Sequence, residues 1–260
     1  MIPYLHIGPL NLPTFGLMVA TALLCSAYIL QKDFERRGWS IDGYSMITYA
    51  GLAGMLGAKI YHVLETPAEF FADPWPQIFS RTGFAWFGGF LGGFAVLLYL
   101  GHRAKLPLLS FLDACSPAAA VGYGIGRIGC LLSGDGDYGI PTSLPWGMSF
   151  PNGIVPTTDR VHPTPIYEFI VWLGIGALLW HLGNKRLREG RTTGGQIFCF
   201  YLILTGLARF LVEIIRINPR TFLGMSNAQT MGAVSVIAGI TLLWRVKTLN
   251  KHKQPVAPVK

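Results

Sequence analysis

Charge is the scarcest ingredient of this 260-residue chain: Asp, Glu, Lys and Arg together make up 13% of it, against about 25% in soluble domains. That scarcity excludes an ordinary water-soluble enzyme. With 51% apolar residues it also excludes disorder, which needs low hydrophobicity and high charge. Cysteine is sparse too. Cys25, Cys115, Cys130 and Cys199 are widely spaced, with no CxxC and no Cys/His ligand pattern, so they read as reduced core residues and no metal is expected. GxSxG, HExxH, Walker A and a GxGxxG in a βαβ setting are all missing, which argues against a serine hydrolase, a zinc protease and a nucleotide-driven pump. No basic stretch precedes the first apolar segment, so that segment is expected to act as an uncleaved membrane signal. No internal repeat and no inverted halves of the transporter kind are evident.

What is present is apolar and glycine-rich. Mean hydropathy is +0.43, and the 32 glycines follow no G-X-Y period, so collagen is excluded. The expected fold class is an all-α membrane protein. A span needs about 20 mostly apolar residues. Candidates run near 14–31, 44–64, 84–101, 108–126, 164–182, 195–215 and 227–244, about seven helices, the third and fourth short or broken by glycine. With the N-terminus outside, 14 Lys and Arg fall in cytoplasmic segments and 5 in external ones. That bias predicts N-out and C-in. The net charge of +8 then reflects loop bias and contact with anionic membrane lipids rather than nucleic acid. The expected organisation is a membrane catalytic domain over 1–245, with an ordered extracytoplasmic loop at 127–163, and a basic, disordered cytoplasmic tail over 246–260.

Several ionisable residues fall in or beside the spans: Lys59, Asp113, Arg127, Glu168, Arg209, Glu213 and Arg216. A charge at the bilayer centre costs about 2.5–3.5 kcal/mol on insertion scales, so such groups face a cavity, a partner or a polar ligand. Arg209, Glu213 and Arg216 recur at i, i+4 and i+7, one face of a helix. They form either a structural ion-pair ladder or an anion site, and the excess of cations favours the anion site. Arg127 ends the glycine-rich run GYGIGRIG. Lys59 is placed equally well to snorkel or to bind. Asp113 reads as a carboxylate serving a helix dipole. Gly88, Gly89, Gly92 and Gly93 suit close helix packing or a backbone bared to a lipid head group. His162 opens the HPTPIYEF segment and reads first as a capping residue. Guanidinium groups bind phosphate bidentately and stay charged when desolvated, so a phospholipid head group at the outer leaflet is the expected guest.

At this point the residues resemble a known family. GRIGCLLSGDGDYG at 126–139 resembles the signature G-R-x-G-N-F-x-N-x-E of the prolipoprotein diacylglyceryl transferases. FGLM at 15–18, GAKIYHVL, FGGFLGG at 87–93, HPTPIYE, ARFLVEIIR at 208–216 and SNAQ at 226–229 resemble further family motifs in the same order. The resemblance implies seven helices with the N-terminus outside, in a bacterial inner membrane, the site facing outward. It implies transfer of a diacylglyceryl group from phosphatidylglycerol to the lipobox cysteine of a preprolipoprotein, giving a thioether and glycerol 1-phosphate without cofactor or metal.

Carried over by position, Arg127 and Arg209 would clamp the donor phosphate and Glu213 would orient Arg209. Gly126, Gly129 and Gly139 would lie near the head group. Lys59 replaces a family arginine, and Glu168 and Gln229 would brace the site. The departures are Phe87 for the family histidine, Phe15 for a tyrosine, Cys130 for the signature asparagine, Asp135 for its glutamate and Thr205 for a tyrosine. The phosphate-holding groups are kept and several proton-handling ones are not. Asp135, Asp137 or His162 are the substitutes for the base. A related lipid transferase with another acceptor, and a lipid or anion transporter without chemistry, are the alternatives.

Overall fold

The computed structural model describes residues 1–80, 83–189, 194–221 and 223–252. The chain is helical with two small antiparallel hairpins. A hairpin of β1 (Tyr4–Ile7) and β2 (Leu10–Pro13) leads into α1 (Thr14–Arg36). Then follow α2 (Gly43–Glu65), the short α3 (Pro67–Ala72) and α4 (Pro74–Phe79), α5 (Trp86–Arg103) and α6 (Leu108–Ser133). A second hairpin, β3 (Met148–Phe150) with β4 (Thr157–Val161), precedes α7 (Thr164–Arg188), α8 (Gln196–Val212), a 3-10 turn (Glu213–Ile215) and α9 (Asn227–His252).

Among the described residues five helices are long and apolar enough to cross a membrane: α1, α6, α7, α8 with its 3-10 turn, and α9. This coarsens the expected seven. Helices α2 and α5 do form where spans two and three were expected, but their many glycines, with tyrosines in both and a terminal His-Arg in α5, dilute their apolar character. The helix ends also differ. α6 continues past 126 to Ser133, so Arg127 and Cys130 are helical and the loop begins at Gly134. α9 continues through His252, so the first residues of the expected tail are helical; positions 253–260 lie outside the described residues.

The chain divides into two compact units. One is Ala27–Phe111. Its centre is a glycine seam between α2 and α5. A Cβ built on Gly88 would lie 2.2 Å from the Gly57 carbonyl oxygen, and one on Gly92 would lie 2.5 Å from that of Ala53. Only hydrogen fits at this backbone approach, so small residues let the helices touch. Here Gly88 and Gly89 face α2. Lys59 donates to the Ser80 hydroxyl at 2.7 Å and lies over the Phe84 ring.

The other unit joins Met1–Ser26 to Leu112 onward. Helices α6, α7 and α8 bury Ala120, Trp172, Ile175, Leu179 and Ile197 together, and α8 and α9 meet through Gly206 and Gly232, whose built Cβ atoms would lie 2.6 and 2.7 Å from each other's carbonyl oxygens. Asp113 is fully buried and caps α8: its carboxylate accepts from Gly195 N and Phe198 N, both at 2.7 Å. The dipole it serves is therefore that of α8, not of its own helix. The segment after α6 forms a small head. Tyr138, Phe150 and Val161 form its core, and Gly139 and Pro141 make isolated bridges to Arg216 and Val161.

Candidate functional site

The site forms where the end of α6, the start of α7 and the end of α8 meet the loop after α6. Glu168 lies at its centre, in the first turns of α7, with a side chain 1% exposed. A buried carboxylate needs compensation, and three arginines supply it. Arg127 of α6 and Arg209 of α8 each donate to Glu168 Oε1 at 3.1 Å, and Arg216 donates to Oε2 at 3.3 Å. Tyr123, one turn before Arg127, donates to the same carboxylate at 3.1 Å, and the Arg127 guanidinium lies over its ring.

Glu213 is the second carboxylate. Its Oε2 lies 3.1 Å from Arg209 Nη2 and 3.7 Å from Arg216 Nε. Its Oε1 accepts from the Ser226 hydroxyl at 2.9 Å and from Asn218. The SNAQ segment is a capping box for α9: Gln229 N donates to Ser226 Oγ, and Ser226 N donates to Gln229 Oε1. Gln229 thus braces the site through Ser226, and it also accepts from Arg220.

Asp137 is the third. Its Oδ2 accepts from Arg127 and its Oδ1 from Arg216. Burial opposes its charge, but the two guanidiniums outweigh that and hold the carboxyl below the usual aspartate range. Asp135 goes the other way: burial, then the neighbouring Asp137, push its carboxyl up. Cys130, Asp135 and Asp137 bring ligand-type atoms within 4.8 Å of one another, and Cys130 Sγ accepts from Arg127 at 3.5 Å.

Two expectations are corrected here. Arg216 does not share a helix face with Arg209 and Glu213. α8 ends at Val212, and Arg216 is extended, bridged to Gly139. It reaches the cluster from the head instead. The surplus of cations is also smaller than the spacing suggested, because Glu168 and Asp137 balance it: the ion-paired core holds three arginines and three carboxylates. Arg220 adds a positive charge beside it, bound to Gln229 and to the Glu213 carbonyl oxygen.

The structure thus brings together Arg127, Arg209, Glu213 and Glu168, with Asp135 beside them. Gly126 has open space where a side chain would start, while Gly129 packs on Phe15 and Met18 of α1. Gly139 lets three segments converge, its built Cβ lying 2.5 Å from the Ile215 carbonyl oxygen and 3.0 Å from His162 and Thr164. The His162 ring pairs with the Tyr167 hydroxyl at 3.2 Å, to which Trp146 also donates. Lys59, Gly88 and Gly89 belong to the other unit. Tyr123 was not among the expected site residues, although its i, i+4 spacing to Arg127 was readable.

A multi-pass membrane protein with a buried arginine–carboxylate cluster is the class these features define. Within it, the chain belongs to the prolipoprotein diacylglyceryl transferase family, whose sequence profile matches residues 3–245. It is 33% identical over 231 residues to the phosphatidylglycerol–prolipoprotein diacylglyceryl transferase of Clostridium tetani, covering 87% of this chain and 90% of that one. An enzyme of the same name from Leifsonia xyli is 31% identical, with 93% and 76% covered. A second such transferase of Clostridium perfringens is 28% identical, with 94% of each chain covered.

Proposed function

We propose that this chain transfers the diacylglyceryl group of phosphatidylglycerol to the lipobox cysteine of preprolipoproteins, at the outer side of a bacterial inner membrane. The observation that carries the reading is the convergence of Arg127 and Arg209, from two helices, on one buried anionic oxygen. A pair that holds a carboxylate there has the charge and fork geometry to hold a phosphate. The excess of Lys and Arg in the loops assigned to the inner side supports the N-out arrangement with seven crossings.

In the reaction the acceptor thiol loses its proton, and its sulfur attacks the glycerol carbon that bears the phosphate ester. The C–S bond forms, the C–O bond breaks and glycerol 1-phosphate leaves. Arg127 and Arg209 stabilise the negative charge on the departing phosphate. Glu213 and Glu168 orient the arginines. Asp135 takes the thiol proton: burial and the neighbouring Asp137 raise its carboxyl from the usual aspartate value, which makes it the stronger base of the two loop aspartates. Phe87 cannot act as a base, so proton removal falls to this loop.

The test is purified protein with labelled phosphatidylglycerol and a lipobox peptide, read by mass spectrometry for the thioether. Transfer to the peptide is the expected result. Lipid binding with an unmodified peptide would turn the reading to a different acceptor.

A further inference from the structure

Asp137 occupies the part of the cluster that an entering phosphate needs. Its two oxygens go to different guanidiniums, Oδ2 to Arg127 and Oδ1 to Arg216. A phosphodiester presents the same pair of anionic oxygens. The other two carboxylates are poorly placed to exchange: Glu168 and Glu213 are 1% and 0% exposed and sit on helical backbone. Asp137 is 29% exposed. It lies on the loop after α6, whose turns rest on Gly134 and Gly136 at φ +59° and +92°, conformations glycine adopts freely. Arg216 Nε is buried without a hydrogen-bond partner, 3.7 Å from Glu213 Oε2, so this guanidinium keeps a donor to spare.

We propose that Asp137 is an internal competitor for the phospholipid phosphate, a positioning residue whose carboxylate holds the Arg127–Arg216 pair until phosphatidylglycerol displaces it. The inference rests on the phosphate-clamp reading above and extends it to Arg216. A ligand that must displace an internal anion binds with an affinity reduced by that competition. The same competition favours a head group of net negative charge: in zwitterionic phosphatidylcholine the choline ammonium offsets the attraction of the phosphate to the guanidiniums, so it gains too little to evict the carboxylate.

The experiment uses the full chain in phosphatidylcholine nanodiscs with increasing phosphatidylglycerol, measuring lipid binding and, with a lipobox peptide, KM and kcat. Asp137→Asn removes the competing charge and keeps the shape. Its KM and Kd for phosphatidylglycerol should fall about tenfold, the scale of one charged hydrogen bond, with a much smaller change in kcat. Asp137→Glu should restore the wild-type KM. An unchanged or raised KM in Asp137→Asn, while Arg127→Ala loses lipid, overturns the competitor and leaves the clamp standing. Lipid binding that survives Arg127→Ala overturns the clamp, and the competitor with it. If Asp137→Asn does not fold, carbodiimide labelling of the wild-type protein decides. Asp137 should label faster when phosphatidylglycerol replaces phosphatidylcholine, and equal or slower labelling refutes the displacement.

Discussion

Arg127 and Arg209 meet on one oxygen of Glu168, each at 3.1 Å. Neither guanidinium can be replaced by a neutral side chain without removing half of the proposed clamp. Arg127→Ala and Arg209→Ala should each lower the rate of transfer by at least about 10²-fold, the effect of losing one donor to a developing anion. Arg127→Lys should not restore it, because an ammonium cannot reproduce the bidentate fork. Phe87→Ala should leave transfer intact, since a phenyl ring has no group that can take the thiol proton. Full activity in Arg127→Ala would refute the clamp.

Glu168 carries the stability of the same cluster. Glu168→Gln keeps the shape but removes the charge that Arg127, Arg209 and Arg216 share. Breaking a buried ion pair from one side costs about 3–5 kcal/mol. Thermal unfolding in detergent should show a clear loss for Glu168→Gln, and an unchanged melting temperature would show that the arginines are compensated elsewhere.

The two loop aspartates should separate in a pH profile. Asp137 is held below the usual aspartate value of 3.8, so its pairing is fully present above that value and is lost only as pH falls through the lower folded one. Asp135 is raised above 3.8. As a base it works only when ionised, so transfer should rise with pH through an inflection above the ordinary aspartate value. Asp135→Asn should remove that acid limb. The limb is measured as kcat/KM against pH, and its persistence in Asp135→Asn would exclude this carboxylate as the base.

The α8–α9 seam gives a packing prediction. A side chain on Gly206 would meet the Gly232 carbonyl oxygen at 2.6 Å. Gly206→Val should destabilise the protein by about 1–3 kcal/mol and lower activity as well, because α8 carries Arg209. Gly126→Ala meets open space and should leave the melting temperature unchanged.

The cores of the helices were legible because long apolar runs admit few structures. Their ends were not. α6 outlasts its expected limit because GRIGCLLS offers no breaker before Gly134, whose positive φ stops it. α8 stops early because Arg216 is drawn into a bridge with Gly139, a tertiary contact no local pattern announces. Helices α3 and α4 lie between the expected second and third spans, where no helix was expected, and Pro67 sits where a first helical turn accepts it. Arg127, Arg209 and Glu213 stood out because charge inside an apolar run needs a reason. Asp137 was legible only as one of three candidate bases, not as a partner of the arginines. Its pairing with Arg216 spans 79 residues, and only the fold brings the two together.

Asp113 has a consequence for how losses of activity are to be sorted. It grips the first turn of α8, and Arg209 stands in the last. At about 1.5 Å per residue the two are separated by much of the helix length. Removing that grip would let the rod shift along its axis and misplace a guanidinium far from the altered atom. A survey of inactive variants would then group Asp113 with the residues that handle lipid, although its grip is on the opposite end of α8, and only a paired measurement of folding would return it to the scaffold.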